Sequence, residues 1–128
     1  MNYLLIKNRL LYEDGKIKNE TFDFYIKTET EKHFRSLSSI RKSIRSIFGI
    51  KKNQPLYISK TLFLIPISLK DVKYYINYYS IKNVTKTDLG YSFIFNDLSS
   101  LTIKISDYKY KMTKRNVRKI CDYISLID

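Results

Sequence analysis

The sequence contains no alanine and no tryptophan, and only one cysteine, one histidine, two prolines and three glycines among its 128 residues. The single cysteine, Cys121, excludes an intramolecular disulfide framework and favours a reducing compartment such as the cytoplasm. One histidine and one cysteine also leave no Cys/His set with the spacing of zinc ligands. No Gly-rich phosphate loop and no HExxH motif is present. We therefore expect a protein that is not an enzyme and that needs no metal or cofactor.

Long apolar runs are also missing from the sequence. The apolar N-terminal stretch MNYLLIKNRLL is interrupted by Lys7 and Arg9, so neither a signal peptide nor a transmembrane span is expected there. We expect a cytoplasmic protein without membrane attachment. Residues with A/T-rich codons (Ile, Lys, Asn and Tyr) are abundant, which favours a low-GC bacterium or one of its phages as the source.

Positive charge dominates what the sequence does contain. The 24 Lys and Arg residues exceed the 12 Asp and Glu residues, which gives a net charge of +12 and a pI near 9.7. Residues 32–70 hold nine of the basic residues and no acidic residue, whereas residues 1–31 hold five basic and six acidic residues. A purely solvated surface normally mixes both signs. The basic block therefore indicates a polyanionic partner, with nucleic acid as the first choice.

The length and the hydrophobic content of 44% are typical of one globular domain, here residues 1–128. We expect an α+β domain with a mainly antiparallel sheet. The alternation of apolar and polar residues in TFDFYIK (21–27) is typical of a half-buried strand. Other strands are predicted in YLLIKNRLL (3–11), LYIS (56–59), TLFLIP (61–66, ended by Pro66) and YYINYYSIKNV (74–84), followed by a hairpin of 90–96 with 100–106.

Two segments have helical spacing instead. The first is an amphipathic helix near 34–48, followed by Gly49 as a C-cap, and the second is a basic C-terminal helix near 112–127. The apolar residues that define them are Phe34, Leu37, Ile40, Ile44 and Ile47 in the first, and Met112, Val117, Ile120, Cys121, Ile124 and Ile127 in the second.

Basic residues in and around these helices are the candidate nucleic-acid contacts. On a helical wheel, Arg35, Lys42 and Arg45 lie on one flank of the first helix, with Arg41 at the apolar edge. Arg41, Lys42 and Arg45 are predicted to contact a DNA groove or its phosphates, and Arg35, Lys51 and Lys52 are predicted to contact phosphates alone. The predicted DNA-binding residues are Arg35, Arg41, Lys42, Arg45, Lys51 and Lys52, with Lys114, Arg115 and Arg118 as a secondary set.

The residues alone leave alternatives open. The charge run can be a solvated helix face, and a basic amphipathic helix can also lie on an anionic membrane, although flanking tryptophans are missing here. The tyrosines at 74, 75, 78 and 79 can stack on unpaired bases, so a basic RNA or single-strand binding module is the alternative function.

The order of these features resembles that of the bacterial competence transcription factor family, ComK. Phe34, Ser36, Arg41 and Lys42 fall where that family has an aromatic-Gly-Ser-Ser stretch followed by Gly-Arg-Lys. The stretch from Lys52 to Ile58 is similar to its Lys-x-Pro-Ile region. Two later stretches, Phe63-Leu64-Ile65-Pro66-Ile67-Ser68 and Tyr75-Ile76-Asn77-Tyr78, are similar to its Phe-Phe-Pro-Thr-x-Ser and Trp-Ile/Leu-Asn-Tyr motifs. The resemblance spans about residues 30 to 120.

This resemblance implies a self-associating transcription activator of DNA-uptake genes, controlled by an adaptor and a Clp-type protease. It further implies recognition of paired A-rich and T-rich boxes in double-stranded DNA, largely through the minor groove. The implication is consistent with the basic block, because the narrow minor groove of an A-tract has an enhanced negative potential that attracts arginine and lysine.

Overall fold

Residues 1–127 are described by a computed structural model, in which helices and strands follow one another along a single folded domain. The α-helices are α1 (Phe22–Glu31), α2 (Leu37–Phe48) and α3 (Asp107–Ile127), and residues Tyr78–Ser80 form a short 3-10 helix. The strands are β1 (Tyr3–Lys7), β2 (Leu10–Glu13), β3 (Lys16–Lys18), β4 (Leu56–Ser59), β5 (Leu62–Ser68), β6 (Val72–Asn77), β7 (Ile81–Thr87), β8 (Gly90–Phe95) and β9 (Ser100–Ile103).

The strands form two antiparallel sheets. The larger sheet has the order β3-β2-β1-β6-β5-β4, and the smaller sheet has the order β7-β8-β9. The α+β class, the antiparallel pairing and the hairpin of β8 with β9 are therefore confirmed. Strand β4 lies at one edge of the larger sheet. A loop joins the end of α2 to this strand.

The strand predicted in TFDFYIK is wrong, because these residues begin α1. The Thr21 hydroxyl accepts a hydrogen bond from the Phe24 backbone N–H at 3.2 Å, which caps the helix, and Asp23 lies in the positively polarised first turn. The buried side chains are Tyr25, Ile26 and Thr30, whereas Phe24 is 58% exposed. The helical spacing of the buried residues overrides the local alternation of Phe22, Phe24 and Ile26.

The basic helix is confirmed, but it begins later than predicted. Ser36 caps α2 by accepting a hydrogen bond from the Ser39 backbone N–H at 3.1 Å, so the helix starts at Leu37. Phe34, which was predicted to lie on the apolar side of this helix, is instead 99% exposed with φ of 57°. The C-cap prediction is confirmed, because Gly49 adopts φ of 70° and its N–H bonds to the Arg45 carbonyl at 2.9 Å.

The C-terminal helix is also confirmed, and it begins five residues before the predicted start. The Ser106 hydroxyl accepts a hydrogen bond from the Lys109 backbone N–H at 3.1 Å, so an N-cap stands directly before α3. Tyr110, in the extra first turn, stacks on Tyr91 with ring centroids 4.0 Å apart. This added turn fixes the start of α3 on the smaller sheet.

Three strand boundaries differ from the sequence-based expectation. The stretch YLLIKNRLL divides into β1 and β2 at Asn8 and Arg9, both of which have positive φ. The stretch YYINYYSIKNV divides into β6 and β7 at the 3-10 helix. Pro66 lies within β5 rather than ending it. Strand β4 pairs with β5 only as far as Leu64, so no β4 carbonyl lies opposite Pro66 to require the backbone N–H that proline lacks.

Two apolar clusters hold these layers together. One joins the helices to the larger sheet and includes Ile26 of α1, Ile40 and Ile44 of α2, and Leu64 of β5. The other joins the two sheets and is centred on Phe95, which is fully buried. Burial of such side chains stabilises the fold by roughly 1.5–3 kcal/mol each. The buried side of α2 is therefore held against the sheet, whereas its basic flank is exposed.

A surface cluster at the start of α3 gives the domain a predictable pH dependence. Asp107 accepts hydrogen bonds from Lys86 Nζ at 2.8 Å and from the Tyr91 hydroxyl at 2.5 Å. These bonds lower the pKa of Asp107 from its ordinary value of 3.8, and the bond from Lys86 has the larger effect. The bond to Asp107 raises the pKa of Tyr91 to about 12.

We expect Asp107→Asn to lower the thermal unfolding midpoint at neutral pH, because the carboxylate is stabilised in the folded chain. The difference from the unchanged protein should shrink as the pH falls below 3.8 and should disappear below the lowered pKa of the folded chain, where Asp107 is protonated in both states. On the alkaline side, stabilisation by Tyr91 should be lost as the pH rises from 10 through about 12. Asp88→Asn, a change of another exposed carboxylate, is the control. A constant difference at all pH values contradicts this assignment.

Candidate nucleic-acid interface

A concave groove of about 780 Å³ lies between α2, the loop that follows it and β6. We call it the basic groove, because its cationic side chains are Arg41, Lys42 and Arg45 of α2, Lys51 of the loop and Lys73 of β6. Among residues 1–127, Asp23 is the one acidic residue that lines it. Four of the nine residues predicted from the sequence are therefore brought together here.

The helical periodicity of α2 explains why its cations share one side. Ile40 and Ile44 are 2% and 5% exposed and point to the core, which leaves Arg41 and Arg45 on the adjoining flank. Residues four apart are one helical turn apart, with a rise of about 6 Å along the axis. Within residues 1–127, no carboxylate lies within 4.0 Å of either guanidinium, so both are available to an external anion.

The loop after α2 is fixed by Gln54. Its side-chain Nε2 donates hydrogen bonds to the Arg41 carbonyl at 3.1 Å and to the Ile50 carbonyl at 2.8 Å. These bonds tie the returning chain to the middle of α2 and to the residue that follows the Gly49 cap. Lys51 is thus held beside the α2 cations rather than on a free loop.

Lys73 completes the groove from the sheet, and the sequence-based prediction missed it. Lys73 and Tyr75 are two residues apart on β6 and face the same side. The Lys73 ammonium lies 5.0 Å from the centroid of the Tyr75 ring, within the range of a cation–π contact. The alternation of side chains along a strand places Lys73 on the same side as Tyr75, and this could have been predicted from the sequence. That Lys73 lies beside α2 follows only from the position of β6 in the middle of the sheet.

The other five predicted residues lie outside the basic groove. Lys52 faces a neighbouring cleft that Pro66 and Lys109 also line. Lys114 lies at an apolar pocket between α3 and the two sheets. Arg115 and Arg118 are exposed on α3 and line neither of these cavities.

Arg35 makes a structural contact at the sheet edge. Its Nη1 atom donates hydrogen bonds to the carbonyl oxygens of Tyr57 at 2.8 Å and Ile58 at 2.9 Å. Both acceptors belong to β4, the edge strand next to α2. A guanidinium at this position satisfies edge carbonyls that would otherwise offer themselves to another strand. Arg35 therefore protects the sheet edge and lies apart from the groove cations.

Aromatic side chains do not present an open stacking surface in the basic groove. Its one aromatic lining residue within residues 1–127, Tyr75, is 4% exposed and stacks on Phe22 with ring centroids 4.4 Å apart. Tyr78 and Tyr79 are about 40% exposed, but they surround Phe63 on a different part of the molecule. Partial burial and a hydrogen bond to Tyr57 raise the pKa of Tyr79 to about 12.

Residues 1–127 contain neither a group of metal ligands nor a helix that could span a membrane. No three His, Cys, Asp or Glu side chains there are grouped so that they could hold a metal ion. None of the helices in that range has both the length and the apolar composition needed to cross a bilayer.

Comparison with protein-family models, with curated proteins and with solved structures finds no match to this chain.

Proposed function

We propose that the chain is a DNA-binding transcription regulator and that the basic groove is its contact surface for double-stranded DNA. The observation that carries this proposal is the convergence of five cations from α2, its following loop and β6 on one groove, where Asp23 is the single lining carboxylate among residues 1–127. Charge concentrated from separate elements binds a polyanion more strongly than the same charge spread over a surface.

The chemistry of the groove favours phosphate as the ligand. Arginine presents a planar set of N–H donors that bind phosphate in two places at once, and lysine adds a mobile point charge. Ser38 and Asn53 also line the groove and supply neutral hydrogen-bonding groups. An arginine flank of this kind suits the narrow minor groove of A/T-rich DNA, whose negative potential is high.

Duplex DNA is favoured over single strands by the burial of Tyr75. Proteins that bind single strands without sequence preference combine a basic channel with exposed aromatic rings on which bases stack. The ring of Tyr75 is covered by Phe22, so the groove offers charge without a stacking surface. The resemblance of the sequence to competence regulators supports an activating role in the cytoplasm.

A competition titration tests this function. We expect an A/T-rich duplex to displace a labelled copy of itself from the protein at lower concentration than a single-stranded RNA that carries the same number of phosphates. A G/C-rich duplex should compete less well than the A/T-rich one, because its minor groove is wider and carries the guanine amino group. All titrations should be made at one stated salt concentration.

Preference for the RNA would contradict the proposal and favour an RNA-binding module instead. Equal competition by both duplexes would remove the A/T preference and leave a non-specific duplex-binding protein.

A further inference from the structure

A second groove, of about 510 Å³, lies on the other flank of α2. It is bounded by α2, by the edge strand β4 and by the C-terminal half of α3, and we call it the apolar groove. Phe48 of α2 and Tyr123 of α3 both line it, with their rings edge to face at a centroid distance of 5.4 Å. Its other apolar lining side chains include Ile47 of α2, Tyr57 of β4 and Ile127 of α3.

Large apolar side chains of this groove remain open to solvent. Ile47 is 48% exposed, Tyr123 is 38% exposed and Ile127 is 64% exposed. Phe34, which stands between two lining residues of the groove in the sequence, is 99% exposed and has φ of 57°. A bulky residue in the left-handed region is unusual and costs conformational energy. Ile47, Tyr123 and Ile127 line the same groove, and exposed apolar side chains gathered in this way mark an interaction surface.

The polar edge of the apolar groove carries positive charge. Arg35 and Lys60 line it together with His33, and no Asp or Glu among residues 1–127 does. No carboxylate in that part of the chain lies within 4.0 Å of Arg35 or Lys60. The chemistry of the groove is therefore an apolar floor with an uncompensated basic edge.

We propose that the apolar groove binds an amphipathic helix of a partner protein, with Leu, Ile or Phe on one face and Asp or Glu beside that face. The apolar face would cover Ile47 and Tyr123, and the acidic residues would meet Arg35 and Lys60. This is the helix-in-groove mode of recognition, whose anchors recur three, four and seven residues apart.

Two observations favour this occupant over others. A partner strand added to β4 would need its edge carbonyls, and those of Tyr57 and Ile58 are already bonded to Arg35. A second copy of this chain would place the same basic edge against this one, and each copy has a net charge of +12. The resulting electrostatic repulsion opposes association. An acidic helix meets neither obstacle.

The apolar groove is separate from the proposed DNA-binding surface, because the two grooves lie on different flanks of α2. Arg41 and Arg45 line the basic groove, whereas Ser43 and Ile47 line the apolar groove. Binding at one can therefore be abolished while the other is kept.

Selection from a displayed library of random peptides against the full chain tests the proposal. The enriched peptides should carry apolar residues at helical spacing with Asp or Glu beside them, and they should become helical when bound. Ile47→Glu and Lys60→Glu should each lower their affinity by about tenfold or more, measured by fluorescence anisotropy. Lys70→Glu makes the same charge change away from the groove and should leave the affinity within about twofold.

Peptides that are enriched without helical spacing, or that bind Ile47→Glu as well as the unchanged protein, would overturn the proposal, as would failure to enrich any. Self-association of the chain that Ile47→Glu abolishes would assign the groove to a second copy and overturn it as well. Circular dichroism shows that each variant is folded. The Arg41→Ala/Arg45→Ala variant should keep full peptide affinity, so failure of the DNA-binding proposal and failure of this one are separable.

Discussion

Replacing Arg41 and Arg45 together by alanine is expected to weaken binding of an A/T-rich duplex by roughly 100-fold. Both guanidinium groups line the basic groove and face no carboxylate among residues 1–127. A hydrogen bond to a charged group contributes about 1.5 kcal/mol, and two such contacts correspond to about two orders of magnitude in the dissociation constant. Fluorescence anisotropy with a labelled duplex measures the change.

The same variant should remain folded. Both side chains are exposed, and alanine is the residue with the highest helix propensity. The bond from Gln54 to residue 41 uses the backbone carbonyl, which the substitution keeps. The free energy of unfolding should therefore change by less than about 0.5 kcal/mol.

Lys82→Ala/Lys104→Ala is the matched control for the loss of two positive charges. Both lysines are exposed, Lys82 on β7 and Lys104 just after β9, and neither lines the basic groove. We expect the control to weaken binding by a few-fold at most, through the smaller net charge alone. Equal losses in the two variants would mean that the charge acts without a defined contact surface.

Gly90→Ala is expected to lower the free energy of unfolding by about 3 kcal/mol or more. Gly90 begins β8 with φ of +131°, a conformation that residues with a side chain rarely adopt. A Cβ atom at this position would lie 2.2 Å from the Ile103 carbonyl oxygen and 2.8 Å from the Lys104 Cα atom. Both neighbours are backbone, so β8 and the end of β9 would have to separate. Urea unfolding followed by circular dichroism measures the effect.

Gly49→Ala separates the steric clash from the cost of positive φ. Gly49 has φ of +70°, but a Cβ atom there would meet nothing within 4 Å. We expect this control to cost about 1 kcal/mol, the usual penalty for a left-handed residue with a side chain. If Gly90→Ala cost no more than Gly49→Ala, the close approach of β8 and β9 at Gly90 would be wrong.

The sequence predicted correctly those helices and strands for which the apolar periodicity and the capping residues indicate the same type of element. In α2 the apolar spacing and Gly49 at the end both indicate one helix, and the structure has it, although the Ser36 cap moves its start to Leu37. In α1 the signals conflict, because Phe22, Phe24 and Ile26 alternate as in a strand while Thr21 and Asp23 favour a helix start. The Phe22 ring stacks on Tyr75, which lies more than fifty residues away in the sequence. A local sequence pattern cannot predict such a contact.

The candidate site was predictable to the extent that it lies on α2. Arg41, Lys42 and Arg45 share a flank by helical geometry alone, and Lys51 follows at once in the chain. Lys73 reaches the same groove through the pairing of β6 with β1 and β5, which is set by contacts distant in sequence. The sequence could not show that Arg35 lies apart from the groove cations. Its contacts are with carbonyls of β4, and the position of that strand beside α2 is known only from the structure.

The dependence of duplex binding on salt tests the role of the basic groove most directly. Each phosphate contact contributes about 0.9 to the slope of log Kobs against log salt concentration. Arg41→Ala/Arg45→Ala should therefore give a slope about 1.8 shallower than that of the unchanged protein, while Lys82→Ala/Lys104→Ala keeps the original slope. Identical slopes for the unchanged protein and Arg41→Ala/Arg45→Ala would contradict binding of DNA phosphates in this groove.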